Sequence, residues 1–478
     1  MDSGPEPSRD AASLQGALLP LGTPIHPDVE LVASAVVHDD QHAGGDWFDT
    51  LPVGDGALAL VTGDVVGHGR AALAAAGQLR AAVLLAVSED DDPGRVLTRV
   101  ARYAATVPEV RGASICLAVV DAGGRSLRYA AAGYPPPVVV SPSGTLAALP
   151  TTGDGRLGCT ETYGTRRATL DVQEVLLLAS DGFQLPAGMA PVTQPRGDIA
   201  RWVDDLLHQV AGATGLVDDA VVVAVRRRAP QPALTLRYPA LPDTVGVVRH
   251  ELAAWLGRAG VEPIDASALV QAVSELTSNC VEHAFPPGTD HRRTEVSVTC
   301  RLTEGCVVVL DVRDNGRWQP PRPRTERGRG LYLSRAFVDD LRIDTGPGGT
   351  RCRVRHRPFR STGVLGASPV PHARVVAGRE FGLDVTDGHV HVRGAVDPPA
   401  ADELRLVLGR ISAAGTRAAT VDLDDVTLLC SAAVEVLSSA RSGAYGEAPL
   451  EILAETGTTA DRVLTWAGVQ HGHQEPSR

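Results

Sequence analysis

Short apolar runs separated by polar turns dominate the first half of the chain. The runs LALV, EVLLLA and AVVVAV consist of aliphatic residues, and each borders a turn that contains Asp. Apolar runs of four to eight residues bounded by turn residues are typical of buried strands. The pattern therefore predicts a β-rich first region in which several strands begin or end at an acidic turn.

The middle of the chain changes to helical spacing. Segments 245–260 and 265–285 have apolar residues three and four positions apart, and Asp265 is placed to cap the second helix. The elements that follow are predicted as strands at 296–302, 306–314 and 350–356 and a helix at 330–341.

A third region alternates strand and helix patterns. The predicted elements are a strand at 389–397, a helix at 398–412, a buried strand at 416–430 and a helix at 431–442. This alternation predicts an α/β layer fold.

Composition narrows the function classes. The chain is 44% hydrophobic but only 4% aromatic, so its cores must be aliphatic. A formal charge of −12 argues against a nucleic-acid binder. The sequence has no uninterrupted run of 18 apolar residues and no signal peptide, which predicts a cytoplasmic protein outside the membrane. Its seven cysteines lack CxxC spacing, which favours reduced thiols over disulfides or zinc.

A length of 478 residues predicts about three domains. Stretches rich in Pro, Gly or charge at 226–234 and 358–373 are predicted as linkers. The predicted organisation is a disordered tail at 1–11 and domains at 12–228, 236–358 and 375–472.

Four acidic turns in the first region carry candidate chemistry. They contain Asp46 in GGDWFD, Asp64 in GDVVGHG, Asp181 in SDG, and the pair Asp218–Asp219. A single Asp-Gly step is usually only a turn. Four such turns at strand ends instead indicate one site for hard divalent ions, which prefer carboxylate, carbonyl and water oxygens.

These motifs, with LQGALLP and AAGYPPPVVV, resemble the SpoIIE/RsbU-like branch of the metal-dependent serine/threonine protein phosphatases (PPM family). The resemblance implies an α-β-β-α sandwich and two Mn²⁺ or Mg²⁺ ions whose bridging water attacks phosphorus. It assigns the metal ligands to Asp46, Asp64, the Val65 carbonyl, Asp181 and Asp218. The sequence departs from the family at Tyr134 and Val221, neither of which is a ligand.

A second constellation lies in the middle region. Glu275 and Asn279 are four residues apart and share a helix face with His283. Such a triplet alone is more often a solvated polar face. Here it is followed by Asp314-Asn315-Gly316 at a strand end, Gly328-Arg329-Gly330 at a helix start, and Thr350 before the last strand.

The ordered set resembles the Bergerat-type ATPase sandwich of histidine kinases and, most closely, the anti-sigma-factor serine kinases. The resemblance implies ATP with Mg²⁺ bound through Asn279, and Glu275 as general base for a partner's serine. It places adenine on Asp314 and Gly316, with Thr350 in the same site. It places phosphate on the backbone around Gly328, Arg329 and Gly330.

The sequence departs from these kinases after Gly316, where it reads Arg317-Trp318-Gln319-Pro320. A short loop at 320–329 replaces a longer lid, and its arginines could contact phosphates or simply be solvated. Nucleotide binding is predicted, whereas kinase turnover is left open.

The third region resembles the STAS α/β domain of anti-anti-sigma factors. Alignment on VTLLCSAAV places the family's phosphorylated serine at Ser431, at a helix start that would favour an anion. The alternative is that Ser431 is only an N-cap. Cys430, Ala432 and Ala433 replace the family's Asp, Ser and Gly, so both interpretations stay open.

These resemblances predict a multidomain α/β regulator of the partner-switching kind, which controls the availability of a sigma factor. The main interpretation is a phosphoserine phosphatase acting on a phosphorylated STAS-domain anti-anti-sigma protein. An anti-sigma kinase or a sigma factor would be a further partner, and a homodimer is left open. The alternative is a binding scaffold in which the ATPase-like and STAS domains sequester partners without catalysis.

Overall fold

The computed structural model describes residues 19–20, 22–36, 44–153, 155–180, 183, 197–214, 219–286, 288–317, 331, 334–335, 337–365, 381–386, 388–412, 418–441 and 450–473. The chain divides into two compact units. The first contains Met1–Gln231, Leu302–Val307 and Pro358–Pro369, and the second contains Pro232–Arg301, Val308–Arg357 and Val370–Arg478.

The described strands, in chain order, are β1 (Gly22–Pro24), β2 (Val29–Val36), β3 (Trp47–Val53), β4 (Ala57–Asp64), β5 (Ser114–Val120), β6 (Ser126–Ala132), β7 (Val138–Val140), β8 (Leu146–Ala148), β9 (Arg166–Thr169), β10 (Val175–Ala179), β11 (Ala220–Arg227), β12 (Leu234–Tyr238), β13 (Val296–Leu302), β14 (Val308–Asp314), β15 (Asp340–Gly346), β16 (Gly349–His356), β17 (Phe359–Ser361), β18 (Gly363–Leu365), β19 (Gly382–Thr386), β20 (His389–Val396), β21 (Ala419–Leu429) and β22 (Leu450–Leu453). The described α-helices are α1 (Arg70–Glu89), α2 (Pro93–Thr106), α3 (Ile199–Thr214), α4 (Pro242–Ala259), α5 (Pro263–His283), α6 (Pro398–Ile411), α7 (Ser431–Arg441) and α8 (Thr459–Trp466).

The first unit is the predicted sandwich of two sheets between helices. One sheet has the strand order β3-β4-β5-β6-β9, and the other has the order β18-β2-β11-β10-β7-β8. Phe48, Leu60 and Val223 belong to the core between the sheets. Helices α1 and α2 cover the first sheet, and α3 covers the second. Successive side chains of a strand point to opposite faces of its sheet, so the central strands β5, β10 and β11 contribute residues to two cores and are almost entirely apolar.

Helices α1 and α2 illustrate how local sequence builds this unit. Helix α2 begins at Pro93, whose fixed φ suits a first helical position, and the Asp92 side chain accepts a hydrogen bond from the Arg95 N–H. Helix α1 is the one described helix that is long and apolar enough to cross a membrane. Leu79 and Val83 of α1 are fully buried in the core beneath the first sheet, as in a core helix of a globular domain.

The segment predicted as the second linker contains two strands of the first unit. Strand β17 pairs antiparallel with β1, and β18 adds in parallel to the edge of β2. The prediction of a plain linker at 358–373 is therefore wrong for residues 359–365. Their Pro, Gly and Ser content hid strands that are only three residues long.

The second unit begins with a five-stranded sheet in the order β12-β13-β14-β16-β15, with α4 and α5 beside it. Two predicted details are wrong. Helix α5 starts at Pro263 with Glu262 at the N-cap position, so Asp265 lies inside the first turn. There it is buried, and its Oδ1 lies 3.2 Å from His356 Nε2. The helix predicted at 330–341 is wrong only at its C-terminal end: residues 331, 334, 335 and 337 are helical, but β15 begins at Asp340.

The third region lies in the same unit and follows the predicted element order. Its sheet has the order β19-β20-β21-β22, with β20, β21 and β22 parallel to one another. The crossover helices α6 and α7 connect these parallel strands, as parallel pairing requires. Leu404 of α6 and Leu437 of α7 are fully buried.

The seven cysteines are all free, as predicted, and all except Cys159 are buried. Burial raises the pKa of the Cys116 thiol to about 12. These thiols therefore serve as small apolar side chains of the cores.

Candidate functional site

The first two predicted ligands meet at one edge of the first sheet. Strands β3 and β4 pair antiparallel with Trp47 opposite Gly63. Asp46 immediately precedes β3 and Asp64 ends β4, so the register places them side by side. Asp46 is buried and Asp64 is half-buried. Two neighbouring carboxylates of this kind suit a divalent cation, which would offset their mutual repulsion.

The two glycines before Asp46 allow this turn to lie close to Asp64 and the Val65 carbonyl. A Cβ at Gly45 would lie 2.4 Å from the Val65 carbonyl oxygen and 2.6 Å from Asp64 Oδ1. The Val65 N–H also donates to the Gly45 carbonyl at 3.3 Å. The turn that carries Asp46 is therefore packed against both Asp64 and the Val65 carbonyl. This arrangement of three oxygen donors fits the predicted divalent ions.

Asp181 and Asp218, the other two predicted ligands, lie outside the described residues. Their described neighbours are joined, because the Val221 N–H donates to Ser180 Oγ at 3.0 Å and the Ser180 N–H donates to the Val221 carbonyl at 2.9 Å.

Sequence reasoning missed Asp219. This side chain is buried, and its Oδ2 accepts a hydrogen bond from the Gly44 N–H at 3.1 Å. A Cβ at Gly44 would lie 2.1 Å from the same oxygen. Asp219 thus ties the second sheet to the glycine turn and positions Asp46. The signal available was the doubled Asp at 218–219, of which only Asp218 had a predicted role.

The predicted adenine site is organised around Asp314 in the second unit. This carboxylate is buried, and its Oδ1 accepts hydrogen bonds from the Gly316 N–H at 2.9 Å and the Thr350 N–H at 3.3 Å. Its Oδ2 contacts the Cys280 thiol at 3.5 Å. Burial, reinforced by the charge of Asp314, raises the pKa of Cys280, so this thiol is a neutral donor.

Two glycines let the backbone close around Asp314. A Cβ at Gly316 would lie 2.3 Å from the Ala284 carbonyl oxygen, and one at Gly349 would lie 1.8 Å from the Asp314 carbonyl oxygen. Gly349 also has φ +119°, which L side chains rarely adopt. Thr350 Oγ1 is buried without a hydrogen-bond partner among the described residues. The Asp314 carboxylate can accept a hydrogen bond, and the Thr350 hydroxyl can donate one. The two groups together suit the edge of a purine, which has both a hydrogen-bond donor and an acceptor.

Helix α5 carries the predicted catalytic stripe. Glu275 is buried and Asn279 is half-buried, whereas His283, one turn later, is exposed. Gln271, one turn before Glu275, is also buried. The solvated-face interpretation is therefore wrong for Glu275. The predicted phosphate-binding residues Gly328, Arg329 and Gly330 lie outside the described residues.

Ser431 is the first residue of α7. The residue before it, Cys430, occupies the cap position, where its Sγ accepts a hydrogen bond from the Ala433 N–H at 3.4 Å. The described contact at this helix start involves Cys430, and the choice between N-cap and phosphoacceptor for Ser431 stays a prediction.

Comparisons with known proteins match two separate stretches of the chain. The family described as Stage II sporulation protein E (SpoIIE) matches residues 54–228. The family described as Histidine kinase-like ATPase domain matches residues 238–356. The first match contains Asp64 and begins after Asp46.

Among individual proteins, the chain is similar to serine-protein kinase RsbW of Bacillus velezensis, with 31% identity over 138 residues that cover 26% of this chain and 84% of the relative. RsbW of Bacillus subtilis is 29% identical over 138 residues, with the same coverage of 26% and 84%. A crystal structure of the RsbU and RsbW domains of Rv1364c from Mycobacterium tuberculosis is 30% identical with a TM-score of 0.65, covering 74% of this chain and 99% of that one.

The chain is thus a multidomain enzyme with a sheet-rich phosphatase part and an ATPase-like part. It belongs to the family of partner-switching regulators that join a SpoIIE-type phosphatase domain to an RsbW-like serine-kinase domain. Its SpoIIE-type part makes it a protein serine/threonine phosphatase, a class that depends on divalent metal ions. Its RsbW-like part is an ATP-binding domain.

Proposed function

We propose that this protein runs a serine-phosphate cycle on a STAS-type domain of its own chain, residues 375–472. The ATPase-like domain would phosphorylate Ser431, and the SpoIIE-type domain would remove the phosphate. The same surfaces would act on separate STAS-domain anti-anti-sigma proteins, and the phosphate level would set the availability of a sigma factor in the cytoplasm. The observation that carries the proposal is a contact between Gln271 and the residues just before Ser431.

That contact lies within the second unit. Gln271 Nε2 donates to the Leu429 carbonyl at 2.9 Å, so the end of β21 lies against the stripe of α5. Burial, and next the charge of Glu275, raises the pKa of Cys430. This influence of Glu275 on Cys430 supports its proposed role as general base for the neighbouring Ser431 hydroxyl.

Two further contacts support the same docking. Arg249 of α4 lies 3.3 Å from Asp397, the N-cap of α6. The rings of Phe337 and Trp466 meet edge to face with centroids 4.7 Å apart. An ion pair, a buried side-chain hydrogen bond and an aromatic pair together define one orientation of the third region on the ATPase-like domain.

The residues suggest a division of labour in phosphorylation. Asp314 would hold the adenine amino group and Asn279 the Mg²⁺ that accompanies ATP. The Ser431 Oγ atom would form a bond to the γ-phosphorus of ATP while the bond from that phosphorus to ADP breaks. Glu275 would accept the proton that the Ser431 hydroxyl loses. Because Glu275 is buried, bulk water has little access to compete for that proton.

The phosphatase domain would reverse the modification. Asp46, Asp64, the Val65 carbonyl, Asp181 and Asp218 would hold two Mn²⁺ or Mg²⁺ ions. When bound, such ions supply a water of lowered pKa that can attack phosphorus. Asp219 would act as a positioning residue, because it holds the Gly44 N–H and hence the turn that carries Asp46.

Intact-mass measurement of the full chain after incubation with ATP and Mg²⁺ tests the proposal. We expect Asp46→Ala to accumulate one phosphate on Ser431, and the added substitutions Glu275→Gln or Ser431→Ala to prevent it. Ser438→Ala, on the same helix, is the matched control and should leave the phosphate in place. An Asp46→Ala protein that stays unmodified would refute the cycle on Ser431.

A further inference from the structure

We propose that Asp461, His471 and His473 form a binding site for one divalent transition-metal ion such as Zn²⁺, separate from the phosphatase centre. The three residues offer ligand atoms that all lie within 4.8 Å of one another. They join helix α8 to the stretch 468–473 that follows it. Neither the cycle on Ser431 nor the two enzyme domains uses them.

The chain holds this stretch in place independently of any metal. The Gly472 N–H donates to the Ile452 carbonyl at 2.7 Å, and the Ala454 N–H donates to the Gly472 carbonyl at 3.0 Å. Arg441 donates to the side-chain oxygen of Gln470 at 2.9 Å. Residues on both sides of Gly472 are thus presented to α8 in a fixed register, which reduces the entropy lost when an ion binds.

Asp461 is oriented as a ligand. It is buried in the first turn of α8, and its Oδ2 accepts a hydrogen bond from the Gly457 N–H at 2.8 Å. Its Oδ1 faces the two histidines, at 2.8 Å from His471 Nε2 and 3.6 Å from His473 Nδ1. A carboxylate with one oxygen fixed by backbone and the other directed at imidazoles is typical of supported metal ligands.

His471 presents one ring nitrogen to Asp461 and the other to the backbone. Its side chain is only 6% exposed, and its Nδ1 lies 2.9 Å from the Val469 carbonyl oxygen, which can only accept. The Nδ1 atom must therefore carry a proton, and in a neutral ring Nε2 would then face the carboxylate with its lone pair. A second proton on His471 would satisfy this pair, but it would not explain the convergence of His473.

The spacing suits a transition metal. Zinc binds imidazole nitrogen and carboxylate oxygen at about 2.0–2.2 Å, so neighbouring ligand atoms of a tetrahedral site lie about 3.3–3.6 Å apart. The 3.6 Å between Asp461 Oδ1 and His473 Nδ1 lies within this range, and the 2.8 Å between Asp461 Oδ1 and His471 Nε2 would lengthen by about 0.5 Å when an ion enters. Imidazole ligands favour Zn²⁺ over Mg²⁺, whereas the predicted phosphatase ligands are all oxygens. The ion would fasten residues 468–473 to α8, with water completing its coordination on the side of the 55%-exposed His473.

Calorimetric titration of the full chain with ZnCl₂, in excess Mg²⁺ to occupy oxygen-ligand sites, tests this assignment. We expect His473→Gln to lose one equivalent of zinc, or to bind it at least about tenfold more weakly, because one of three protein ligands is gone. His473→Gln leaves the Asp461–His471 pair intact, and His250→Gln, at an exposed position of α4, is the matched control.

Hydrogen exchange of peptides from 459–473 provides a second readout that does not depend on enzyme activity. Zinc should slow their exchange in the wild type and the His250→Gln control but not in His473→Gln. Equal zinc stoichiometry and affinity in all three proteins, with exchange unaffected by zinc, would overturn the site and identify Asp461–His471 as a plain ion pair.

Discussion

Gly45 determines how closely the Asp46 turn can approach the end of β4. A single methyl group at this position would overlap the Val65 carbonyl oxygen and Asp64 Oδ1, two of the atoms that would hold metal. The chemistry of the phosphatase site thus depends on a residue that has no side chain. Metal-dependent catalysis is sensitive to such shifts, since misplacement by about 1 Å can cost about 100-fold in rate.

We therefore expect Gly45→Ala to reduce Mn²⁺-dependent hydrolysis of an aryl phosphate by at least about tenfold, approaching the loss of over about 100-fold expected for Asp64→Ala. Gly123→Ala is the control, because a Cβ there has open space. Steady-state rates over a range of Mn²⁺ concentrations provide the measurement. Unchanged rates and Mn²⁺ dependence in Gly45→Ala would contradict the assignment of this turn to the site.

In the nucleotide site, Asp314 is the residue on which the local geometry depends most. It binds two backbone N–H groups, so it both shapes the pocket and would accept the adenine amino group. We expect Asp314→Asn to weaken ATP binding by at least about tenfold, because a buried charged acceptor is replaced. Calorimetry with ATP and Mg²⁺ measures this.

Asp311→Asn is the matched control on the same strand. Its carboxylate pairs with Arg351 and Arg353, and its odd spacing from Asp314 places it on the opposite face of β14. Equal ATP affinity in the two variants would remove Asp314 from the nucleotide site.

At the scale of elements, long periodic segments were predictable and short ones were not. Helices α4 and α5 and strand β21 were located from apolar spacing, because one buried face fixes the period of a long element. Strand β15 was missed because it is mostly exposed. The role of Gln271 was also invisible in the sequence, since its partner Leu429 is 158 residues away.

The stability of the pairing between β20 and β21 is expected to depend on pH. His391 on β20 lies between Asp422 and Asp425 of β21, at 3.2 and 3.1 Å. Burial by itself would lower the pKa of His391, but the hydrogen bonds to these two carboxylates outweigh it, and the pKa is raised above 6.5. Because the folded pKa exceeds the unfolded value, the stabilisation is fully present below pH 6.5 and is lost as pH rises through the folded pKa.

We expect His391→Gln to lose hydrogen-exchange protection in β20 and β21 relative to the wild type at pH 6. The difference should shrink as pH rises above the folded pKa, where the wild-type histidine is also neutral. Mass spectrometry of peptides from the two strands, with both proteins measured at each pH, gives the comparison. His389→Gln, at an exposed position of the same strand, should show no such trend. A difference independent of pH would mean that His391 acts by packing alone.

At the scale of the whole molecule, sequence order and structural units do not coincide. The first unit includes residues 302–307 and 358–369. In the sequence, these two segments come before and after strands β14, β15 and β16 of the ATPase-like sheet. The sequence predicted the family-like parts because their motifs are local. It could not predict these recruited segments, because a three-residue strand is specified by its tertiary partners rather than by its own pattern.

This arrangement predicts how the phosphatase part behaves when it is cut at the boundary suggested by sequence. A fragment ending at residue 228 lacks β17 and β18, so β1 loses its partner and the edge of β2 is unpaired. We expect residues 358–369, rejoined to that fragment by a flexible linker, to raise its Tm by several degrees. An increase of about 1–2 kcal/mol in the free energy of unfolding would raise the Tm of a domain of this size by about 2–8 °C.

The same rejoined fragment carrying Gly363→Val is the matched control. A Cβ at Gly363 would lie 2.5 Å from Ser34 Oγ and 3.2 Å from Asp204 Oδ1, so a valine there cannot seat β18 against β2. Differential scanning fluorimetry of the three fragments separates the cases. If all three melt together, residues 358–369 contribute nothing to the phosphatase fold. If only the unmodified rejoined fragment is stabilised, the phosphatase domain is completed by a segment that follows the kinase-like domain in the chain.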